Sequence, residues 1–91
     1  MPKVRVCLNK MSNGKIEISC LKPELGGAAH SRPYDSETDA KKTLLAFGCF
    51  TEDEVNAYLA TLREIGPMEL MKLGDYEITD EDLVATGFTA V

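Results

Sequence analysis

Two alternating stretches, Val4-Arg5-Val6-Cys7-Leu8-Asn9 and Ile16-Glu17-Ile18-Ser19-Cys20-Leu21, flank Ser12-Asn13-Gly14, and the way they pair decides the fold. Each alternates with a period of two, the pattern of a strand buried on one side only. A two-residue Asn-Gly turn would set Cys7 opposite Cys20 and send the two apolar sets to opposite faces. A three-residue loop, with Gly14 left-handed in a bulge, shifts the pairing by one. Val6 then faces Cys20, Leu8 faces Ile18, and every apolar side chain falls on one side. A one-residue slip moves a strand's entire apolar set, so burial selects the three-residue loop. In that register Cys20 joins the core, Cys7 lies on the other face, and the two are not bonded.

Beyond the hairpin, residues 23–34 hold Gly26-Gly27, two prolines and the sole histidine, and read as a loop with a short third strand near 30–34. Ser36 and Asp39 then form a capping-box-like start, with Ala40, Leu44 and Phe47 at helical spacing and Gly48 as the stop. Thr51 and Glu54 form a full capping box, with Phe50 and Val55 at staple spacing. Glu52, Asp53 and Glu54 sit where the helix dipole favours negative charge. Val55, Tyr58, Leu59, Leu62 and Ile65 make a continuous apolar stripe ended by Gly66-Pro67. Thr79-Asp80-Glu81-Asp82 starts a short third helix, with Ile78 and Leu83 as a staple and Gly87-Phe88 as its cap. Residues 68–78 favour helix by propensity, yet a two-stranded hairpin alone is marginal and needs a further strand. The extended reading is adopted.

The chain has 91 residues, 44% apolar and 27% charged, which fits one globular domain over 1–91. The fold class expected is α+β: an N-terminal hairpin, with or without a third strand, packed against two central helices and closed by a short C-terminal one. Its core is expected to hold Val4, Val6, Leu8, Ile16, Ile18, Leu44, Phe47, Val55, Leu59, Leu62 and Leu83. Neither a membrane-spanning run nor an N-terminal apolar leader is apparent, which points to a cytoplasmic protein without membrane association. The net charge of −5 is unevenly spread: residues 1–34 sum to +4 and residues 35–91 to −9. Two halves of opposite sign are expected to fold against each other and neutralise. Three cysteines leave one over in any disulfide scheme, and no two stand at zinc-ligand spacing. A reducing compartment, no metal and no cofactor are the expectation.

Function is harder to extract. The pair of helices around Gly48 has the outline of a DNA-reading motif, but the second helix opens with three carboxylates that would repel phosphate. The acidic clusters fail the calcium-loop pattern, since the sixth position is Ala40 counting from Asp35 and Asp80 counting from Asp75. They lie at helix starts, where capping explains them. No phosphate loop or dinucleotide fingerprint is present. His30 with Cys49 or Cys7 would be needed for nucleophilic catalysis, and nothing in the spacing joins them, so no catalytic residue is assigned.

Leu44-x-x-Phe47-Gly48-Cys49-Phe50, followed by an amphipathic helix, resembles the first two helices of ubiquitin-associated domains over residues 40–59, about a fifth of the chain. Gly66-Pro67 interrupts where the third helix of such a domain would stand, and a hairpin precedes the match. The resemblance is therefore one of helix pairing, and it implies that the loop 48–50 is an exposed protein-binding surface.

These readings converge on a non-catalytic interaction module that recognises another protein or associates with itself. Its candidate surface is the outward face of the hairpin: Arg5, Cys7, Asn9, Glu17, Ser19 and Lys22. An uncovered hairpin edge able to accept a strand is the expected mode. The runner-up is nucleic-acid binding by the same basic hairpin, disfavoured because residues 1–33 lack an aromatic on which a base would stack. A third reading is an accessory subunit of a multi-chain enzyme, with His30 and Cys49 contributing to a shared site.

Overall fold

A computed structural model of the chain describes residues 3–11, 13–22, 29–66 and 69–88. β1 (Val4–Lys10) and β2 (Ile16–Leu21) pair antiparallel in the register that burial selects, with Val6 opposite Cys20 and Leu8 opposite Ile18. Gly14 has φ 85°, the left-handed conformation that the three-residue turn requires, and its N–H donates to Met11 O at 3.0 Å. Ser12, the Gly26-Gly27 segment and Pro67-Met68 lie outside the described residues.

The hairpin is extended on both sides. β3 (Ala29–Tyr34) pairs with β2, and β4 (Leu70–Tyr76) pairs with β1, giving one antiparallel sheet in the order β3-β2-β1-β4. The extended reading of residues 70–76 thus holds. Both edges of the hairpin are consumed within the chain, which corrects the expectation that one of them is open. The β1–β4 ladder shifts between Val6 and Cys7, so Gly74 pairs with Val6, Lys72 with Cys7, and Leu73 is the extra residue of a bulge.

α1 (Glu37–Ala46) and α2 (Glu52–Glu64) follow β3, and α3 (Asp80–Ala85) follows β4. Each begins as its sequence dictates. Ser36 Oγ accepts from Asp39 N, the Thr51–Glu54 capping box is complete in both directions, and Thr79 Oγ1 accepts from Asp82 N. Among the described residues, helices lie against one face of the sheet only. Val4, Val6, Leu8, Ile16, Ile18 and Cys20 meet Ala40, Leu44, Phe47, Val55, Leu59, Leu62 and Leu83 there in a single cluster. All eleven expected core residues are buried, and Cys20 with them.

The cluster also takes Phe50, Ile78 and Phe88. Phe50 is 8% exposed and packs edge-on against Tyr58 and Tyr76. That corrects the exposed loop implied by the helix-pairing resemblance: Gly48 is exposed, but Phe50 is core, as the staple spacing requires.

α3 is only six residues long and is held at both ends by side chains from the sheet. Lys22 Nζ bonds Asp80 at its start, and Arg32 Nη1 donates to Thr86 O at its finish, 3.3 Å away. The finish is a Schellman cap, with Gly87 N on Val84 O and Phe88 N on Leu83 O. Gly87 has φ 95°, and a Cβ there would run into the Arg32 guanidinium. Phe88 then folds back onto the Phe47 ring, 5.8 Å between centroids.

Candidate functional site: the helix-free face of the sheet

Strand alternation sends the other half of the side chains away from the helices, and the register fixes them in rows running across the sheet. One row is Leu70, Asn9, Glu17 and Pro33; the next is Lys72, Cys7, Ser19 and Ser31; the third begins Asp75, Arg5 and Leu21. Lys72 and Asp75 share this face although they stand three positions apart. In an unbroken strand they would point to opposite sides. The bulge at Leu73 corrects the parity.

Of the six residues expected here, Arg5, Asn9, Glu17 and Ser19 are half-buried members of these rows. Ser19 Oγ meets Ser31 Oγ at 3.0 Å across β2 and β3. Cys7 lies on the expected face but is only 7% exposed, closed off at the centre of the sheet near Arg5, Lys72 and Asp75, so it offers little contact surface. Lys22 departs from the expectation outright. It is 6% exposed and engages Asp80 at the head of α3. Its even position continues the inward series of Ile16, Ile18 and Cys20, a parity that the charge of the side chain masked.

Electrostatically the basic third of the chain is largely spoken for. Arg5 makes a two-pronged pair with Asp75 (2.9 and 3.3 Å), Lys15 reaches Asp35 at 3.1 Å, Lys22 bonds Asp80, and Lys10 donates to Arg63 O at 3.1 Å. Three of these are pairs between the +4 and −9 segments, the mutual neutralisation expected from composition. The hydrogen bonds to Arg5 hold the Asp75 carboxyl below its ordinary range and raise the guanidinium in return. Three of the cations on which a nucleic-acid reading would draw, Arg5, Lys15 and Lys22, are thus engaged by acids of the same chain.

No thiol is activated. Burial pushes Cys20 up to about 12 and raises Cys7 and Cys49 as well, Cys7 in spite of the nearby Arg5 and Lys72 and Cys49 in spite of its own backbone hydrogen bond. All three are free. His30 stands beside Cys20 across the β2–β3 ladder, facing a thiol that stays protonated near neutral pH. Among the described residues no group of three or more His, Cys, Asp or Glu is placed to hold a metal ion. None of the helices among them is long and apolar enough to cross a membrane.

At the far end of the sheet, a cleft of about 180 Å³ opens between the Gly14 turn, the start of α1 and the end of α2. Its floor is Ile16, Leu59 and Leu62, and its rim is the pair of Arg63 and Glu37, joined by Nε to Oε2 at 2.8 Å. The rim charges satisfy each other, and the floor belongs to the core.

Sequence reasoning missed the β4 contribution to the helix-free face. Leu70 is 65% exposed, the more exposed of the two large apolar side chains left in water among the described residues, and it lies on an outermost strand. The alternation of Leu70, Lys72 and Met71, Leu73 was the available signal, and Gly74 within it marked the bulge.

No protein-family model matches this chain, and no curated protein or solved structure does so either.

Proposed function

We propose that this chain is a small, non-catalytic interaction module of the reducing cell interior that recognises another protein chain through β4 and the helix-free face adjoining it. The observation that carries the reading is the contrast between the two outermost strands. β3 contains Pro33, which has no N–H to give, and its Arg32 is turned back to Thr86 O at the end of α3. β4 contains no proline, ends the sheet on its side, and presents Leu70 to solvent next to Lys72 and Asp75. An edge of this kind accepts a strand by main-chain hydrogen bonds, with neighbouring side chains supplying selectivity. Placement in a reducing compartment is supported by three unbridged thiols.

The test is site-specific photo-crosslinking of the full chain in its native cell, with the probe at Leu70 on one edge or at Ser31 on the other. Adducts to protein from Leu70 and few or none from Ser31 are expected. Equal yields, or adducts from Ser31 alone, would refute the docking edge.

A further inference from the structure

The β4 edge is complementary to itself run backwards, and we infer that its partner is a second copy of this chain. The inference rests on β4 being the docking edge and goes on to name the occupant. In an antiparallel pair, residues directly opposite share a face. A two-fold axis passing between Leu73 and Gly74 therefore sets Lys72 of each copy opposite Asp75 of the other, and Met71 opposite Tyr76. The charges meet on the helix-free face only because the bulge has brought both of them there. Without it, Lys72 and Asp75 would lie on opposite faces and the register would match neither.

Symmetry doubles the match, since a two-fold contact makes every pair twice. The carboxylate of Asp75, already held by Arg5 at 2.9 Å, has lone pairs left for the second cation. Leu70 comes to lie opposite Glu77 of the other copy, where the methylene stem covers it. The net charge of −5 opposes approach of two copies from a distance, so association depends on this local match, and salt at physiological strength screens the remainder. A β3 edge offers no such arrangement, because Pro33 interrupts its donors and its described residues carry no acid.

Sedimentation equilibrium of the full chain, from about 10 μM to about 1 mM, reads the association directly. The wild type is expected to form a dimer. Lys72→Glu makes an all-acidic edge and Asp75→Lys an all-basic one, and each alone is expected to associate at least about tenfold more weakly. Mixed in equal amounts, the two are expected to regain a dimer, one copy of each. Circular dichroism establishes that both variants are folded. Should Asp75→Lys fail to fold for want of its bond to Arg5, hydrogen exchange on the wild type decides. Amides of β4, and not those of β3, must slow as concentration rises. A wild type that stays monomeric at 1 mM, undiminished dimers from both variants, or unprotected β4 amides would overturn the inference. A monomer that still crosslinks to another protein through Leu70 would overturn the second copy alone, leaving the docking edge standing.

Discussion

The two faces of this sheet are built from the same strands, residue by residue, and have almost nothing else in common. On one, Val4, Val6, Leu8 and Ile18 are wholly withdrawn from water. On the other, Arg5, Asn9, Glu17 and Ser19 are half-exposed, with Arg5 bonded to Asp75 and Ser19 to Ser31 on the neighbouring strands. Neighbouring residues of one strand therefore serve separate ends: apolar burial on the helix side stabilises the fold, while the opposite side is left to set polarity and edge chemistry.

Leu8 and Asn9 give the sharpest break point. Leu8→Ala is expected to cost about 2–5 kcal/mol, as a large-to-small change at a fully buried site. Asn9→Ala should stay within about 0.5 kcal/mol, because it removes a carbonyl oxygen that is buried with no hydrogen-bond partner. Urea unfolding of both proteins compares them, and equal losses would dissolve the distinction between faces. Next in size is Gly87→Ala, which forces a side chain into φ 95° and displaces Arg32 from Thr86 O; a loss of about 1–2 kcal/mol is expected in the same assay.

Acid sharpens the comparison further. Asp75 and Glu37 are both held below their ordinary range by hydrogen bonds from Arg5 and Arg63. A depressed carboxyl stabilises the fold above its unfolded value and ceases to do so as pH falls through its folded one. Stability should therefore decline below about pH 4, and Asp75→Asn should flatten part of that decline in thermal melts taken from pH 7 to pH 2. The smallest effect leaves stability untouched and appears in thiol alkylation at pH 8. Cys49, half-buried, should react first and Cys20 last, only as fast as the domain opens, since burial has pushed its thiol up to about 12. Early labelling of Cys20 would place it outside the core.

What the sequence made legible was local. The hairpin register followed from two alternating runs and Gly14, and the three helix starts followed from Ser36, Thr51 and Thr79, each within four residues of its partner. What it concealed was set by distant pairing. Residues 70–76 have helical propensity, and only the vacant side of β1 makes them a strand. Lys22 reads as surface by its charge until Asp80, far along the chain, arrives to receive it. The helix-free face was partly legible, because alternation marks which residues point outward; the strand that completes it reads as extended, but which of its residues face outward does not show, because its bulge changes the parity midway.

β1 comes first in chain order among the strands of this sheet and lies inside it, between β2 and β4. One neighbour, β2, follows it at once. The other, β4, is about sixty residues further on. During synthesis the newborn ribbon must therefore wait, with one flank bare, until residues 70–76 have left the ribosome, and only then can the sheet be closed. A nascent chain stalled before Leu70 would display the very flank that the mature molecule conceals.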